Sequence, residues 1–152
     1  MQVTNGNLKH FVNQAYASVI AEAANNEGAD LVVLSNSFSG RGLAPRIGVK
    51  LNAGIADGAI SLPDLSGGKF VIKNTAFSGK AFATVELKSA KKVIALTPNA
   101  YQVAEKSAAA KVEDFTPDVK ESDFKAMLKE IVQSVEKVSL PDAEIVVSGG
   151  RG

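Results

Sequence analysis

Two short glycine–arginine motifs have residue types suited to binding an anion. Residues 40–42 read Gly-Arg-Gly, and residues 149–152 read Gly-Gly-Arg-Gly. Glycines let backbone N–H groups approach a phosphate, a following helix contributes its positive end, and an arginine adds a bidentate donor. Each motif follows a strand-like apolar run, where an α/β sheet places its ligand crevice. The two motifs are therefore candidates for binding phosphate or pyrophosphate groups, centred on Arg41 and Arg151.

Neither motif completes a nucleotide-binding fingerprint. No Gly-Lys-Ser/Thr follows either one, as a Walker loop requires, and residues 40–42 supply only the first half of G-x-G-x-x-G. The loop from Ser35 to Gly42 is therefore open to two interpretations, a tight turn with an interface contact or an anion site. Arg151 is the stronger candidate, because two glycines precede it at the end of a strand.

The composition excludes several other chemistries. The 152-residue chain has no cysteine, so disulfides, thiolate catalysis and cysteine-ligated metals are excluded, and its one histidine, His10, excludes multi-histidine metal sites. No carboxylate lies within a helical turn of His10 to orient it, so we interpret it as a partly exposed polar residue. The serines at 35, 37 and 39 lack a nucleophile elbow. A formal net charge of +1 gives no excess for nucleic-acid binding.

The elements that position these motifs follow from the apolar spacing. Apolar residues from Leu8 to Ala23 recur at helical intervals, and Asn5 or Asn7 is suited to cap that helix. The apolar run at 30–35 is typical of a parallel strand that is covered on both faces.

A second helix is predicted after the loop, with Pro45 in its first turn and its end at 52–54. This helix–strand–loop–helix order favours an α/β layered fold with a parallel sheet.

Further strands are predicted in the middle of the chain. A hairpin turn at Ser78 and Gly79 is expected to join two of them. The predicted strands are residues 55–62, 70–72, 81–85 and 92–96.

The last third of the chain is more ambiguous. Residues 105–122 indicate a surface connection with one strand around 112–115, and residues 124–135 have helical apolar spacing. Residues 144–148 indicate a strand that leads to the terminal motif, where a loop should continue into another element.

Three stretches resemble electron transfer flavoprotein alpha subunits. Residues 29–46 are similar to a strand–loop–helix of that family, and residues 143–152 resemble its most recognisable motif. Residues 70–85 between them resemble its antiparallel hairpin. The similarity extends from about Leu8 to Gly152, and the motifs occur in the family's order.

The resemblance implies an electron carrier rather than an enzyme. Such a subunit pairs with a beta subunit and passes electrons through FAD from acyl-CoA and other dehydrogenases to a membrane-bound quinone reductase. Arg151 corresponds to the one FAD contact of the family that this chain contains. The chain alone is not expected to hold FAD.

The resemblance also implies the domain bounds and the fold. Residues 1–140 correspond to part of the N-terminal α/β domain, and residues 141–152 to the first strand and Gly-Gly-Arg-Gly turn of the FAD-binding domain. The expected fold is Rossmann-like, with a mostly parallel sheet and an antiparallel hairpin. Its N-terminal edge is expected to be incomplete, because family members begin with further strands and helices. Residues 124–135 then become a strand of the mixed sheet instead of a helix.

No targeting segment or membrane-length apolar run is recognisable in the sequence. We expect a bacterial cytoplasmic location, or a mitochondrial matrix, with no membrane insertion. The alternative function is a stand-alone nucleotide-binding α/β domain that uses the loop from Ser35 to Gly42.

Overall fold

A five-stranded mixed sheet with two helices forms the domain. The structure is a computed structural model, which describes residues 1–102, 104–106, 108–126, 128–132, 138, 140 and 143–150. The helices and strands are α1 (Asn13–Asn26), β1 (Leu31–Ser35), α2 (Phe38–Leu51), β2 (Gly54–Ala59), β3 (Val71–Ala76), β4 (Ala81–Glu86) and β5 (Lys92–Leu96). The strand order is β1-β5-β2-β3-β4.

Strand β5 lies between β1 and β2 and is parallel to both of them. Val93 of β5 lies opposite Val32 of β1 and Ile55 of β2. Parallel strands need crossover connections, and α2 supplies the one between β1 and β2. The predicted α/β architecture with a parallel core and an antiparallel hairpin is confirmed.

Alternate residues of β5 belong to two apolar clusters on opposite faces of the sheet. Val93 is fully buried on the face that α1 and α2 cover, and Ile94 is buried on the other face. Small residues of α1 let the two helices approach closely. The cluster under the helices contains Ala17, Ala21, Ala24, Leu43, Ala44, Ile47, Leu51, Val93 and Ala95.

The expectation that β1 is covered on both faces is wrong for the described residues. Val32 and Leu34 pack into the cluster under the helices, whereas Leu31 is 39% and Val33 is 50% exposed. The reason is that α1 and α2 both pack on one face of the sheet, and no described element covers β1 on the other face.

Helix α1 begins later than its apolar spacing suggests. The first turn that the spacing includes is a separate 3-10 turn at Gly6–Leu8, capped by Asn5, whose side chain accepts from the backbone N–H of Asn7 at 3.0 Å. Leu8 in this turn continues the helical spacing of apolar residues, but it lies outside the helix, which begins at Asn13. The predicted element is therefore correct, but its start is wrong by several residues.

The hairpin is confirmed with its turn. Strands β3 and β4 pair over six residues each, and Ile72 lies opposite Val85. The turn between them has three successive residues with positive φ: Phe77, Ser78 and Gly79.

Two strands predicted in the last third are absent from the described residues. Residues 112–115 form one isolated bridge, Gln2 with Asp114. No strand includes residues 124–126 or 128–132, where the only element is a 3-10 turn at Glu121–Phe124. Residues 127 and 133–137 of the predicted 124–135 strand lie outside the described residues.

The strand predicted at 144–148 is not formed within the described residues. Ile145 is 84% and Val147 is 94% exposed, and no neighbouring strand in the described part pairs with them. β propensity alone does not form a strand without a partner for its backbone groups.

Candidate functional site at the carboxyl ends of the parallel strands

The three parallel strands end at a small polar cluster. The backbone N–H of Asn36, just after β1, donates to the carbonyl oxygen of Leu96 at 2.7 Å. The backbone N–H of Thr97, just after β5, donates to Ala59 at the end of β2 at 2.9 Å. These bonds hold the carboxyl ends of β1, β5 and β2 together, at the edge of the sheet where α/β folds bind their ligands.

Asn36 is the buried centre of this cluster. It is 9% exposed, and its Oδ1 accepts from Nε of Arg41 at 3.3 Å. Gly58 lies beside it with φ of 68°, and a Cβ there would lie 3.4 Å from Nδ2 of Asn36 and 3.8 Å from Oγ1 of Thr97. The positive φ favours glycine at this position.

The loop predicted from Ser35 to Gly42 is helical from Phe38 onwards. The Gly-Arg-Gly motif therefore does not form the tight turn that was one of its two interpretations. Ser37 is the N-cap of α2, and its Oγ accepts from the backbone N–H of Gly40 at 3.2 Å. Residues 40–42 therefore lie in the first turns of the helix. Pro45 lies well inside the helix instead of in its first turn.

The two glycines of this motif have packing reasons. A Cβ on Gly40 would overlap the carbonyl oxygen of Ser35, and a Cβ on Gly42 would lie 2.7 Å from the side-chain oxygen of Asn13. Gly40 lets α2 turn closely over the end of β1, and Gly42 lets α1 approach α2. Packing within the chain thus accounts for both glycines without a ligand.

Arg41 is the residue of this motif whose side chain could bind a ligand. Its Nε is held by Asn36, which orients the guanidinium next to the N-terminus of α2. Such a group could receive a carboxylate or phosphate.

The other sequence candidates have structural or solvent-exposed positions. His10 is exposed, and the hydroxyl of Ser37 is committed to the helix cap. In the described part of the chain, no three His, Asp or Glu residues group together as a metal site would require. Within the same ranges, no helix is long and apolar enough to span a bilayer.

FAD is the group that the terminal motif is expected to contact. Arg151 lies outside the described residues, so its predicted FAD contact stays a prediction. Gly149 and Gly150 have no atom within 4 Å of where a Cβ would lie. The space beside both glycines is therefore open in the part of the chain that the structure describes.

Among the described residues, two ionisable groups beside turns have shifted pKa values. The hydroxyl and the backbone N–H of Ser66 hold the pKa of the Asp64 carboxyl below its usual range. Burial raises the pKa of Tyr101, whose hydroxyl donates to the carbonyl oxygen of Ser61 at 2.8 Å. Both groups secure turns beside the sheet.

Sequence reasoning missed the buried role of Asn36 and its approach to Gly58. A polar residue directly after an apolar strand was the available signal, but its partners come from two other strand ends. A second missed residue is Ser89, whose Oγ accepts from Gly54 N–H at 2.7 Å and donates to Lys91 at 2.7 Å.

The fold and strand-end cluster define a Rossmann-like α/β domain. The family model described as "Electron transfer flavoprotein domain" matches residues 1–120. The chain belongs to the electron transfer flavoprotein family.

Proteins similar to this chain are named as alpha subunits or as Protein FixB. Electron transfer flavoprotein subunit alpha of Bacillus subtilis is 29% identical over 146 residues, covering 95% of this chain and 45% of that protein. The protein of that name from Thermoanaerobacterium thermosaccharolyticum is 29% identical over 154 residues, covering 99% and 47%. Protein FixB of Escherichia coli O6:K15:H31 is 30% identical over 151 residues, covering 97% and 48%. The chain thus spans about half the length of these relatives.

Proposed function

We propose that this chain is the N-terminal α/β domain of an electron transfer flavoprotein alpha subunit and acts as part of an electron carrier, not as an enzyme. The family match over residues 1–120, on a fold with the expected parallel core and hairpin, is the observation that supports this most. The domain would extend to residue 140, and residues 141–152 would begin the FAD-binding domain.

In this proposal FAD is held mainly by the second domain, with Arg151 as the contact contributed here. The charged guanidinium would donate to a phosphate oxygen of the cofactor. FAD supplies the redox chemistry when bound, and the protein supplies position and electrostatics. The α/β domain described here would support that domain through packing.

The proposed partners follow from the same assignment. A beta subunit would complete a heterodimer, acyl-CoA and other dehydrogenases would donate electrons, and a membrane quinone reductase would accept them. The complex would work in a bacterial cytoplasm or, as the alternative location, in a mitochondrial matrix.

The proposal is tested by co-expression of this chain with the beta subunit of the same organism. We expect the two chains to co-elute in size-exclusion chromatography, and the chain alone to contain no flavin absorbance. A beta subunit co-expressed with an unrelated α/β domain of similar size is the control. Separate elution of the two chains, with a folded chain, would contradict the proposal.

The alternative, a stand-alone nucleotide-binding domain, is supported by Arg41 held beside the N-terminus of α2. Against it, the motif glycines are accounted for by packing against Ser35 and Asn13. Calorimetric titration with AMP and ATP separates the two functions. We expect no binding tighter than about 1 mM. Tight binding that Arg41→Ala abolishes would refute the carrier proposal.

A further inference from the structure

The outer face of α2 has an apolar stripe that contributes nothing to the core. Phe38, Pro45 and Val49 are seven and four positions apart, so they share one side of the helix. Phe38 is 97% exposed, Val49 is 81% exposed, and Pro45 is exposed. Apolar side chains that are exposed side by side on one face of a helix form a patch of the kind that marks contact surfaces.

The core role of α2 belongs to its opposite side. The residues that this side buries against the sheet and α1 are Gly40, Leu43, Ala44, Ile47, Gly48 and Leu51. The fold therefore does not require an aromatic residue at 38 or an apolar one at 49. A polar residue at either position would keep the same helix.

All charged residues of α2 are basic: Arg41, Arg46 and Lys50. At about 100° per residue, Arg41 lies on one side of the stripe and Arg46 on the other. Lys50 is 4.0 Å from Asp123, so its charge is partly compensated within the chain. The stripe is thus an apolar surface with an arginine along each side.

The stripe continues into a shallow groove between the two helices. Gln14 of α1 lines this groove together with Pro45, Arg46, Val49 and Lys50 of α2. A helix or other ridge of a partner could place apolar side chains in the groove while its flanking residues meet the arginines.

We propose that the outer face of α2 binds a partner protein whose contact surface has apolar side chains bordered by Asp and Glu. Charge complementarity to Arg41 and Arg46 selects the acidic border. A second copy of this chain, bound through the same face, would bring these arginines against their own counterparts, which is repulsive. The inference goes beyond the proposed carrier function, because it depends on neither the flavin nor Arg151.

The test uses the purified chain and a fluorescent amphipathic peptide, about 18 residues long to give five helical turns, with a leucine face bordered by glutamates. A matched peptide has lysines in place of the glutamates. We expect the acidic peptide to bind at least about tenfold more tightly than the basic one by fluorescence anisotropy. Raising NaCl from about 50 to about 500 mM should weaken this binding, because salt screens exposed charges.

Matched variants assign the binding to α2. We expect binding of the acidic peptide to weaken by about tenfold or more in each of two variants. One variant combines Phe38→Ser with Val49→Ser, and the other is Arg41→Glu. Phe77→Ser and Lys80→Glu make equivalent changes on the hairpin turn, where Phe77 is 81% exposed, and should have no effect. Circular dichroism of every variant confirms that it is folded.

Several results would overturn the proposal. These are equal binding of the two peptides, no binding up to about 1 mM peptide, or equal loss in the hairpin variants. Two other occupants are tested on the same variants. If the chain binds no peptide but binds phosphatidylglycerol vesicles, and the Phe38→Ser, Val49→Ser chain does not, the stripe contacts a membrane surface instead. A dimer in sedimentation velocity that the Phe38→Ser, Val49→Ser chain loses would assign self-association.

Discussion

Gly40 shows at the scale of one residue how a motif that suggests ligand binding can be required for packing. Its missing Cβ leaves room for the carbonyl oxygen of Ser35. We expect Gly40→Ala to lower the free energy of unfolding by roughly 2 kcal/mol, because overpacking against backbone outweighs the better helix propensity of alanine. Urea denaturation measures this difference.

Gly6→Ala is the matched control for that substitution. No atom lies within 4 Å of a Cβ at Gly6, so its effect should stay within about 0.5 kcal/mol. Similar stabilities for the Gly40→Ala and Gly6→Ala chains would mean that Gly40 is not constrained by packing and would reopen the anion-site interpretation.

Asp64 links one turn to pH. The Ser66 hydroxyl and then the Ser66 backbone N–H, which donates to Oδ1 at 2.9 Å, lower the pKa of this carboxyl. Because the folded-state pKa is depressed, the stabilisation of the turn is present above the unfolded-state pKa and is lost as pH falls through the folded-state pKa. We expect Ser66→Ala to raise the pKa of Asp64 towards its usual value. NMR titration of the carboxyl carbon measures it, and an unchanged midpoint would contradict the assignment.

Ser89 connects two elements at the amino end of the parallel sheet. Its Oγ accepts from the N–H of Gly54 at the start of β2 and donates to the carbonyl of Lys91 just before β5. Ser89→Ala removes both bonds, and we expect it to cost about 1–2 kcal/mol of unfolding free energy. Ser18→Ala, which removes an exposed bond within α1, should cost less than half as much. Equal costs in thermal or urea unfolding would show that Ser89 makes no special connection.

At the scale of elements, the sequence predicts those whose signals are local. The hairpin, β5 and both helices follow from alternation, turn residues and helical spacing, and the structure confirms them. Helix starts were predicted wrongly, because the cap of α2 is Ser37 and the apolar spacing of α1 runs through a separate 3-10 turn. The segment at 144–148 has strand propensity, but within the described ranges no neighbouring strand pairs with it.

The candidate site could be predicted only in part, because it belongs to the scale of the whole molecule. Arg41 is recognisable from its motif. Its partner Asn36 can be recognised as part of the site only once β1, β5 and β2 are known to end side by side. The approach of Gly58 to Asn36 and Thr97 joins residues that are far apart in sequence. No local pattern encodes a contact among three strand ends, so the sheet order is needed to find it.

Arg151 provides the prediction that depends on the whole subunit. In the full-length protein paired with its beta subunit, we expect Arg151→Ala to weaken FAD retention by about 1.5–3 kcal/mol, because a charge-assisted donor to a phosphate is lost. Flavin absorbance per heterodimer after dialysis measures FAD retention. Arg151→Lys keeps the charge but not the bidentate geometry, so its FAD retention should lie between those of the unsubstituted and Arg151→Ala proteins. In the 152-residue chain alone the substitution should change nothing, since in the proposed assignment the second domain supplies the other contacts to FAD. Flavin content that is unchanged in the full-length Arg151→Ala protein would remove this residue from the FAD site while leaving the family assignment intact, because that rests on residues 1–120.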